Sequence, residues 1–298
     1  NTLFLFTLCD IAAVGPNILN EWRISLLRSL LFNSRDFLQR GLDTANYSSS
    51  VQESLKKMVL EQAEKDMKIF IKKSMRYFPN FYWEAFSSKM ILDIFNFYHD
   101  YQKNKKVLSV NFLNYDNKEY GAAIVICPNR SGVLKDIVAG FHASQINILG
   151  SRIISLNNND IIDVFWITNS IQKAIIEKNE QERVVLNITA SLNQEELEIY
   201  QPLFSSKTKM EVEPHITIDN QMSKLTTTFQ VLSGDRQGLL MDILQIFHDH
   251  NLSVQSAKIS TYGEKVFDIF QIVDLKNKKI KDAQLLKKIE DQLLKILS

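Results

Sequence analysis

Two short stretches repeat the same residue types at the same spacing, and their chemistry suits an anion beside a cation. One stretch reads Asp235-Arg236-Gln237-Gly238-Leu239-Leu240, and a near copy lies 106 residues upstream as Asn129-Arg130-Ser131-Gly132-Val133-Leu134. Each follows an apolar, β-branched run and opens an amphipathic run, which is typical of a strand followed by a helix. The sequence therefore predicts the same strand–loop–helix corner twice.

The corner has the groups that an amino acid needs. The first amides of a helix have no acceptors within it and favour an anion such as an α-carboxylate. Gly238 has no Cβ and allows close approach to the backbone, while Asp235 suits an α-ammonium group. The candidate effector-binding residues are Asp235, Gln237, Gly238, Leu239, Leu240, Asn129, Ser131, Gly132, Val133 and Leu134.

A structural interpretation of the corner stands beside this one. An Asp before a helix is a common N-cap, worth about 0.5–2 kcal/mol, and the glycine could serve only a tight turn. On one copy alone this interpretation is the better one. The Arg, Gly and Leu positions recur in both copies, and this repetition favours a binding corner.

The elements around the corners predict an α+β fold. Residues 1–106 form an all-α region, in which Ser50-Val51-Gln52-Glu53 is a capping box that predicts a helix start. Two runs of β-α-β-β-α follow, which is typical of ferredoxin-like βαββαβ modules. The predicted domains are 1–106, 107–222 and 223–298. A strand near Val212–Ile218 is assigned to the first copy, so the second copy has no strand for a fourth position, and Val107–Val110 is a spare strand.

Composition narrows the function classes. The 298 residues include 35 basic and 34 acidic side chains, a net charge of +1, so bulk charge does not indicate nucleic acid. Two distant cysteines exclude a disulfide framework and favour a cytoplasmic setting. No apolar run approaches the roughly 18 residues that span a bilayer, so no membrane partner is expected. The start at Asn1, without Met, is interpreted as that of a fragment.

The corner residues lead to a resemblance. Together with Ala257–Glu264 and Asp268-Ile269-Phe270, the second corner resembles an ACT domain, a ferredoxin-like module that binds amino acids and regulates attached enzymes. Upstream, Leu5–Pro16 and Asn20–Arg28 resemble the end of an HD phosphohydrolase domain. Tandem ACT domains after an HD domain resemble the C-terminal part of the bifunctional PII uridylyltransferase/uridylyl-removing enzyme family, over nearly the whole chain.

The resemblance implies a nitrogen sensor. In that family a nucleotidyltransferase domain transfers uridylyl groups from UTP to the PII signalling protein, the HD domain removes them with a divalent metal (Mg or Mn), and glutamine binds the ACT domains. This chain holds none of the catalytic residues, and Asp10 alone matches a metal ligand. Asn129 replaces the usual Asp, so the first corner is expected to bind more weakly. Ser131 and Gln237 replace a usual Pro, which is expected to leave both loops less rigid. The resemblance leaves ACT-mediated self-association open.

Two other functions remain as alternatives. A stand-alone tandem-ACT protein would bind amino acids without catalysis. A guanosine tetraphosphate synthetase/hydrolase also joins HD to ACT, but a single ACT copy is expected there, so the repeat argues against it. The sequence further predicts that His142 and His248 are surface polar residues, and that Asp163 and Asp268 are solvent-facing positions on strands.

Overall fold

The computed structural model describes most of the chain, in segments. They are residues 2–15, 19, 27, 30–31, 44–80, 82–114, 120–169, 177–197, 212–223, 225–236, 238–262 and 265–297. Most of residues 16–43 of the predicted all-α region, and the corner residue Gln237, lie outside these residues.

The region before the modules is helical wherever it is described, as predicted. Its elements are α1 (Thr2–Val14), α2 (Thr44–Gln62), α3 (Lys65–Ser74), a 3-10 turn (Met75–Tyr77), α4 (Tyr82–Ala85) and α5 (Ser88–Lys103). The helix start predicted at Ser50 is wrong, because α2 already begins at Thr44 and no Pro or Gly interrupts residues 44–49. Among the described residues, no helix is both long and apolar enough to cross a membrane.

The chain forms two compact units. One consists of residues 1–64 and 83–92, and within it the Lys56 ammonium lies 5.6 Å from the centre of the Trp83 ring. The other consists of residues 65–82 and 93–298, and it contains both repeats together with α3 and the last part of α5. Both corners and all strands of the two repeats lie within this second unit.

Each repeat folds into a four-stranded module with two helices. The first contains β1 (Ser109–Asn114), β2 (Gly121–Pro128), α6 (Val133–Ala143), β3 (Asn147–Arg152), β4 (Asp160–Thr168) and α7 (Lys178–Leu192). The second contains β5 (His215–Asp219), β6 (Thr227–Gly234), α8 (Leu239–Asp249), β7 (Leu252–Tyr262), β8 (Lys265–Asp274) and α9 (Ala283–Leu297). The described strands form one antiparallel sheet in the order β1-β2-β4-β3-β7-β8-β6-β5.

The fourth strand of each module comes first in the chain. β1 pairs with β2, and β5 pairs with β6, so each module runs β-βαββα while keeping the ferredoxin-like order in its sheet. The expectation that the second copy lacks a fourth strand is therefore wrong. Its strand was counted with the first copy, because position along the chain does not show which strand it will pair with. Pro214 precedes β5 at the edge of the sheet, where the missing N–H costs no ladder bond.

One hydrophobic core lies between the sheet and the module helices. Phe141 packs on Phe165 with ring centres 4.9 Å apart, and Phe247 packs on Phe270 at 5.3 Å. All four rings are almost fully buried, and each such burial stabilises the fold by about 1.5–3 kcal/mol. This core holds the start of α6 and of α8 firmly on the sheet, so the two corners have fixed positions.

The β3–β7 seam joins the modules. Three residue pairs align across it, namely Gly150 with Ser260, Ser151 with Ile259, and Arg152 with Lys258. α6 and α8 also contact each other. The modules thus lie side by side in one sheet, and each corner can face residues of the other module.

Candidate functional site

The two corners have the same backbone geometry. Gly132 is the N-cap of α6 with φ 78° and ψ −1°, and Gly238 is the N-cap of α8 with φ 78° and ψ −3°. This is the left-handed region, which side-chain-bearing residues adopt at a cost. The first helical amide donates to the arginine carbonyl three residues earlier at 3.2 Å in both copies (Val133 to Arg130, Leu239 to Arg236).

Neither corner has a side-chain cap within the described residues. The N-cap of α8 is Gly238, three residues after Asp235, and no side-chain hydrogen bond caps this helix or α6 in the described part. The first part of the structural interpretation, in which Asp235 is the N-cap, is therefore wrong, whereas the left-handed φ of Gly238 agrees with its second part, a glycine that serves a tight turn. First-turn amides without helical acceptors remain suited to an anion.

The repeated arginines hold the corners in place. Arg130 donates to Asp136 at 2.6 Å and to the Leu192 carbonyl at 2.9 Å. Arg236 makes the equivalent bonds, to Asp242 at 2.6 Å and to the Ile296 carbonyl at 3.2 Å. Each arginine thus ties the loop to the first turn of its own helix and to the C-terminal end of the second helix of its module. The recurrence of an acid six residues after each arginine was the sequence signal for this clamp.

A histidine from the other module faces each corner. A Cβ placed on Gly132 would lie 3.0 Å from Nδ1 of His248, and one on Gly238 would lie 3.5 Å from Cε1 of His142. Both histidines are half-buried, so their assignment as surface residues is wrong. Nδ1 of His248 is buried and has no hydrogen-bond partner in the described portion of the structure. His250 lies apart and contacts Gln292 at 2.6 Å.

A narrow cleft lies at the first corner. It encloses about 20 Å³ and is lined from both modules, by Arg130, Gly132, Val133, Leu134, Lys135, Leu244, Phe247, His248, Leu252, Ser253 and Val254. That volume is close to the minimum for one water molecule, so an amino acid requires this cleft to open. A broader depression of about 650 Å³ lies on the solvent side of α9 and includes no corner residue.

Two buried carboxyls lie on the core side of the sheet. Asp163 is 0% exposed and Asp268 is 2% exposed, so the prediction that they face solvent is wrong. Residues two apart on a strand share a face, which places Asp163 with Phe165 and Asp268 with Phe270 beneath the helices. The period-two pattern carries this signal, because it places each aspartate on the same face as a buried phenylalanine, and the polarity of a side chain does not by itself place it in solvent.

Burial controls the protonation of these carboxyls. It raises the pKa of Asp163 to about 8, although the Ile154 N–H donates to this carboxyl at 3.2 Å. Burial also raises the pKa of Asp268 to about 7, the Ser260 N–H at 3.1 Å opposes the rise, and the charge of Asp235 adds to it. The charge of Asp235 therefore lies close enough to act on Asp268, and a negative charge at the second corner favours a cation there.

The first corner has an amide where the second has an acid. The Asn129 side chain donates to the Ser155 hydroxyl at 3.4 Å, and its backbone N–H donates to the Asn159 carbonyl at 2.7 Å. Asn129 thus binds the β3–β4 hairpin of its own module. The two corners share a backbone cradle and differ in the charge beside it.

The remaining candidate residues differ in how far their side chains are buried. Ser131 is exposed and Leu240 is half-buried, while Val133, Leu134 and Leu239 have side chains buried in the core, so the last three could contribute to a ligand only through the backbone. Asp10 is exposed on α1. The described residues include no group of three or more His, Cys, Asp or Glu side chains that could hold a metal ion.

Comparison with known proteins gives a consistent set of similarities. The family model described as the ACR family N-terminal ACT domain matches residues 222–296. Bifunctional uridylyltransferase/uridylyl-removing enzymes align with almost the whole chain: that of Azospirillum brasilense is 26% identical over 99% of the chain, and that of Zymomonas mobilis is 30% identical over 98%. The chain spans 32% of the length of each of these relatives.

Solved structures give weaker matches. An aspartate kinase from Synechocystis aligns with 60% of this chain and 28% of its own, at 14% identity and a TM-score of 0.34. The alignments with the curated enzymes include the helices before the modules as well as both modules.

Proposed function

We propose that this chain is the regulatory, C-terminal part of a bifunctional enzyme of the cytoplasm, which adds uridylyl groups to the PII signalling protein and removes them. The observation that carries the proposal is the extent of the similarity, 98–99% of the chain. A stand-alone tandem-ACT protein would share the two modules with these enzymes but would have no reason to share α1 to α5.

In this proposal the module pair binds glutamine. The α-carboxylate lies on the first-turn amides of α8, which begin at Gly238. The α-ammonium lies beside Asp235, whose charge also acts on the buried Asp268. His142, which faces this corner from the other module, supplies ring nitrogens that suit hydrogen bonding to a side-chain amide.

Catalysis belongs to the whole enzyme and is not assigned to residues of this chain. UTP is the proposed donor substrate, and Mg or Mn is the metal that would activate water for uridylyl removal. Asp10 is the one candidate metal ligand here. A single exposed carboxylate does not hold a catalytic metal, and no cluster in the described residues adds to it. The role of this chain is therefore to sense the effector.

Titration calorimetry with glutamine tests the sensor. We expect Asp235→Ala to weaken binding by about 10- to 100-fold, because the ammonium loses a charge-assisted partner, and Asn129→Ala to weaken it only a few-fold. Asp291→Ala, which removes an exposed acid on α9, is the matched control. Absence of heat at millimolar glutamine refutes the ligand, and equal losses from the two corner variants refute the ranking of the corners.

A chimera tests the regulatory role. The matching third of the Azospirillum brasilense enzyme is replaced by this chain, and uridylyl removal from PII is assayed with and without glutamine. Allosteric coupling is typically about 1–3 kcal/mol, so we expect the rate to change about 10- to 100-fold. A chimera that is active but insensitive to glutamine contradicts the proposal.

A further inference from the structure

The β3–β4 hairpin of the first module bonds to the first corner on one side. Its turn is tight: the Asn159 N–H donates to the Leu156 carbonyl at 3.2 Å, and Asn159 has a left-handed φ of 68°. The backbone N–H of Asn129 donates to the Asn159 carbonyl at 2.7 Å, and the Asn159 side chain donates to the Asn129 carbonyl at 3.3 Å. The hairpin and the first corner residue therefore hold each other by two reciprocal bonds.

The same hairpin bonds to helical residues on its other side. The Asn157 N–H donates to the Tyr77 carbonyl at 2.9 Å, and the Asn158 side chain donates to the Tyr98 hydroxyl at 2.8 Å. Asp160 accepts hydrogen bonds from Tyr98 at 3.1 Å and from Tyr101 at 3.4 Å. The tyrosine–aspartate cluster is defined as Tyr98, Tyr101, Asn158 and Asp160.

The tyrosine–aspartate cluster is well placed to hold a fixed geometry. Tyr98 is 0% exposed and Tyr101 is 6% exposed. Burial and the charge of Asp160 raise the pKa of Tyr98 and of Tyr101 well above the usual range, so both hydroxyls remain donors at neutral pH. Because hydrogen bonds to a charged group are among the stronger ones, the C-terminal part of α5 (residues 93–103) and the hairpin are expected to move together.

Asp160 also lies directly beside the corner. It pairs with Pro128 across the β2–β4 ladder, and Pro128 is the residue before Asn129. In the second module the equivalent pair is Gly234 with Lys265, and Lys265 is an exposed cation. A lysine cannot accept the tyrosine bonds that Asp160 accepts, so this anchor depends on a residue that the second module lacks.

We propose that the β3–β4 hairpin couples the first corner to α5, with Asn159 and Asp160 as positioning residues. When an amino acid opens the narrow cleft beside Gly132, the displaced Asn129 moves the hairpin, and the hairpin moves Tyr98 and the C-terminal part of α5. This inference rests on amino-acid binding at the corners, as proposed above. It assigns transmission of the ligand-induced movement to the first corner, although the second corner has the carboxylate of Asp235 for the ligand's ammonium group.

Hydrogen exchange of the full chain, without ligand, tests the connection. Tyr98→Phe removes the hydroxyl that bonds Asp160, and we expect exchange of amides 129–135 to rise about fivefold while amides 235–241 remain unchanged. Tyr77→Phe is the matched control, because Tyr77 holds Asn157 by its carbonyl and not by its hydroxyl. Asp160→Asn keeps the side-chain shape and replaces Tyr98→Phe if that variant does not fold.

Glutamine then tests the transmission. In the unaltered chain we expect ligand-dependent protection at both corners and also in residues 93–103, and in Tyr98→Phe we expect the protection of 93–103 to be lost. Unchanged exchange at 129–135 in both cluster variants, or an equal rise at both corners, overturns the coupling. If the variants change exchange at 129–135 but glutamine protects neither corner, the connection stands and the proposed ligand is refuted.

Discussion

The two modules share one corner geometry and differ in what surrounds it. In the first, β4 is buried along both faces, including Ile162 and Val164 on the side away from the module helices. In the second, β8 alternates, and Phe267 and Ile269 on the corresponding side are half-exposed. Tyr98 and Tyr101 reach Asp160 on that side of the first module. The first module is therefore attached to the C-terminal part of α5 through Asp160, and the second presents this face more openly.

The difference teaches that two copies of a module can divide two proposed tasks, binding of the ligand and transmission of the resulting movement, which a single module would have to combine. The second corner has Asp235, whose charge acts on the buried Asp268 and suits an ammonium group. The first corner has Asn129 bound to the hairpin, which suits transmission of movement. The backbone at the two N-cap glycines is the same to within a few degrees. The two corners thus suit different roles because the side chains around the glycines differ.

The largest expected difference between the modules concerns the packing of their helices. Gly140 in α6 corresponds to Ile246 in α8, and a Cβ on Gly140 would lie 2.6 Å from Cα of Ile188 in α7. Because backbone atoms cannot move aside cheaply, we expect Gly140→Ala to lower the free energy of unfolding by about 3 kcal/mol. Urea denaturation measures this loss.

Ile246→Ala is the counterpart in the second module. Ile246 is half-buried and packs at the margin of the core, so its truncation is expected to cost about 1 kcal/mol. If Gly140→Ala costs no more than Ile246→Ala, the close approach of α6 to α7 is not needed for stability.

The buried carboxyls predict a pH dependence that is stronger in the first module. The folded-state pKa of Asp163 is about 8, above an unfolded value of about 3.9. The stability that its neutral form contributes is complete below about pH 4 and is lost as pH rises through 8. We expect Asp163→Asn to be more stable than the unaltered chain at pH 9 by about 2 kcal/mol.

Asp268→Asn provides the comparison for that pH dependence. The pKa of Asp268 is about 7, so the stability contributed by its neutral form is lost between about pH 4 and 7. Asp268→Asn is therefore expected to reduce the pH dependence of stability less than Asp163→Asn does, and at lower pH. Thermal unfolding from pH 5 to 9 checks both variants. Equal profiles for the two variants would mean that the two carboxyls have the same environment.

The N-cap glycines predict a smaller difference. Both have φ 78°, so replacement by Ala costs about 1 kcal/mol of strain at either position. At Gly132 the new methyl also meets His248 at 3.0 Å, whereas at Gly238 the nearest atom is 3.5 Å away. We therefore expect losses of about 2 kcal/mol for Gly132→Ala and about 1 kcal/mol for Gly238→Ala, measured by urea denaturation.

A second variant separates strain from contact at the first corner. His248→Ala removes the ring that faces Gly132, so Gly132→Ala in that background is expected to cost only the strain. If Gly132→Ala still lowers the free energy of unfolding more than Gly238→Ala does in this background, the difference between the two glycines arises within the loop and not from the contact with His248 of the other module.

Much of this architecture could be predicted from local pattern. The two strand–loop–helix corners follow from the spacing of Arg, Gly and Leu, since the start of a helix is determined by a few neighbouring residues. The β-α-β-β-α order follows from the apolar patterns around the corners, and ligand binding at the corners stays a prediction. The strand pairing of β5 could not be derived in this way, because pairing joins residues distant in sequence. His142 and His248 recur at the same position in both copies, but their place beside the opposite corner depends on the β3–β7 seam.

The seam also determines how the sheet responds to force. Three residue pairs join β3 to β7, whereas the register of β2 with β4 runs for eight pairs and that of β6 with β8 for another eight. A load that twists the two modules against each other would therefore concentrate at the seam, where few bonds resist it. The two-module sheet is therefore expected to bend first along the β3–β7 seam. Both corners, with the histidines that face them, lie beside this seam.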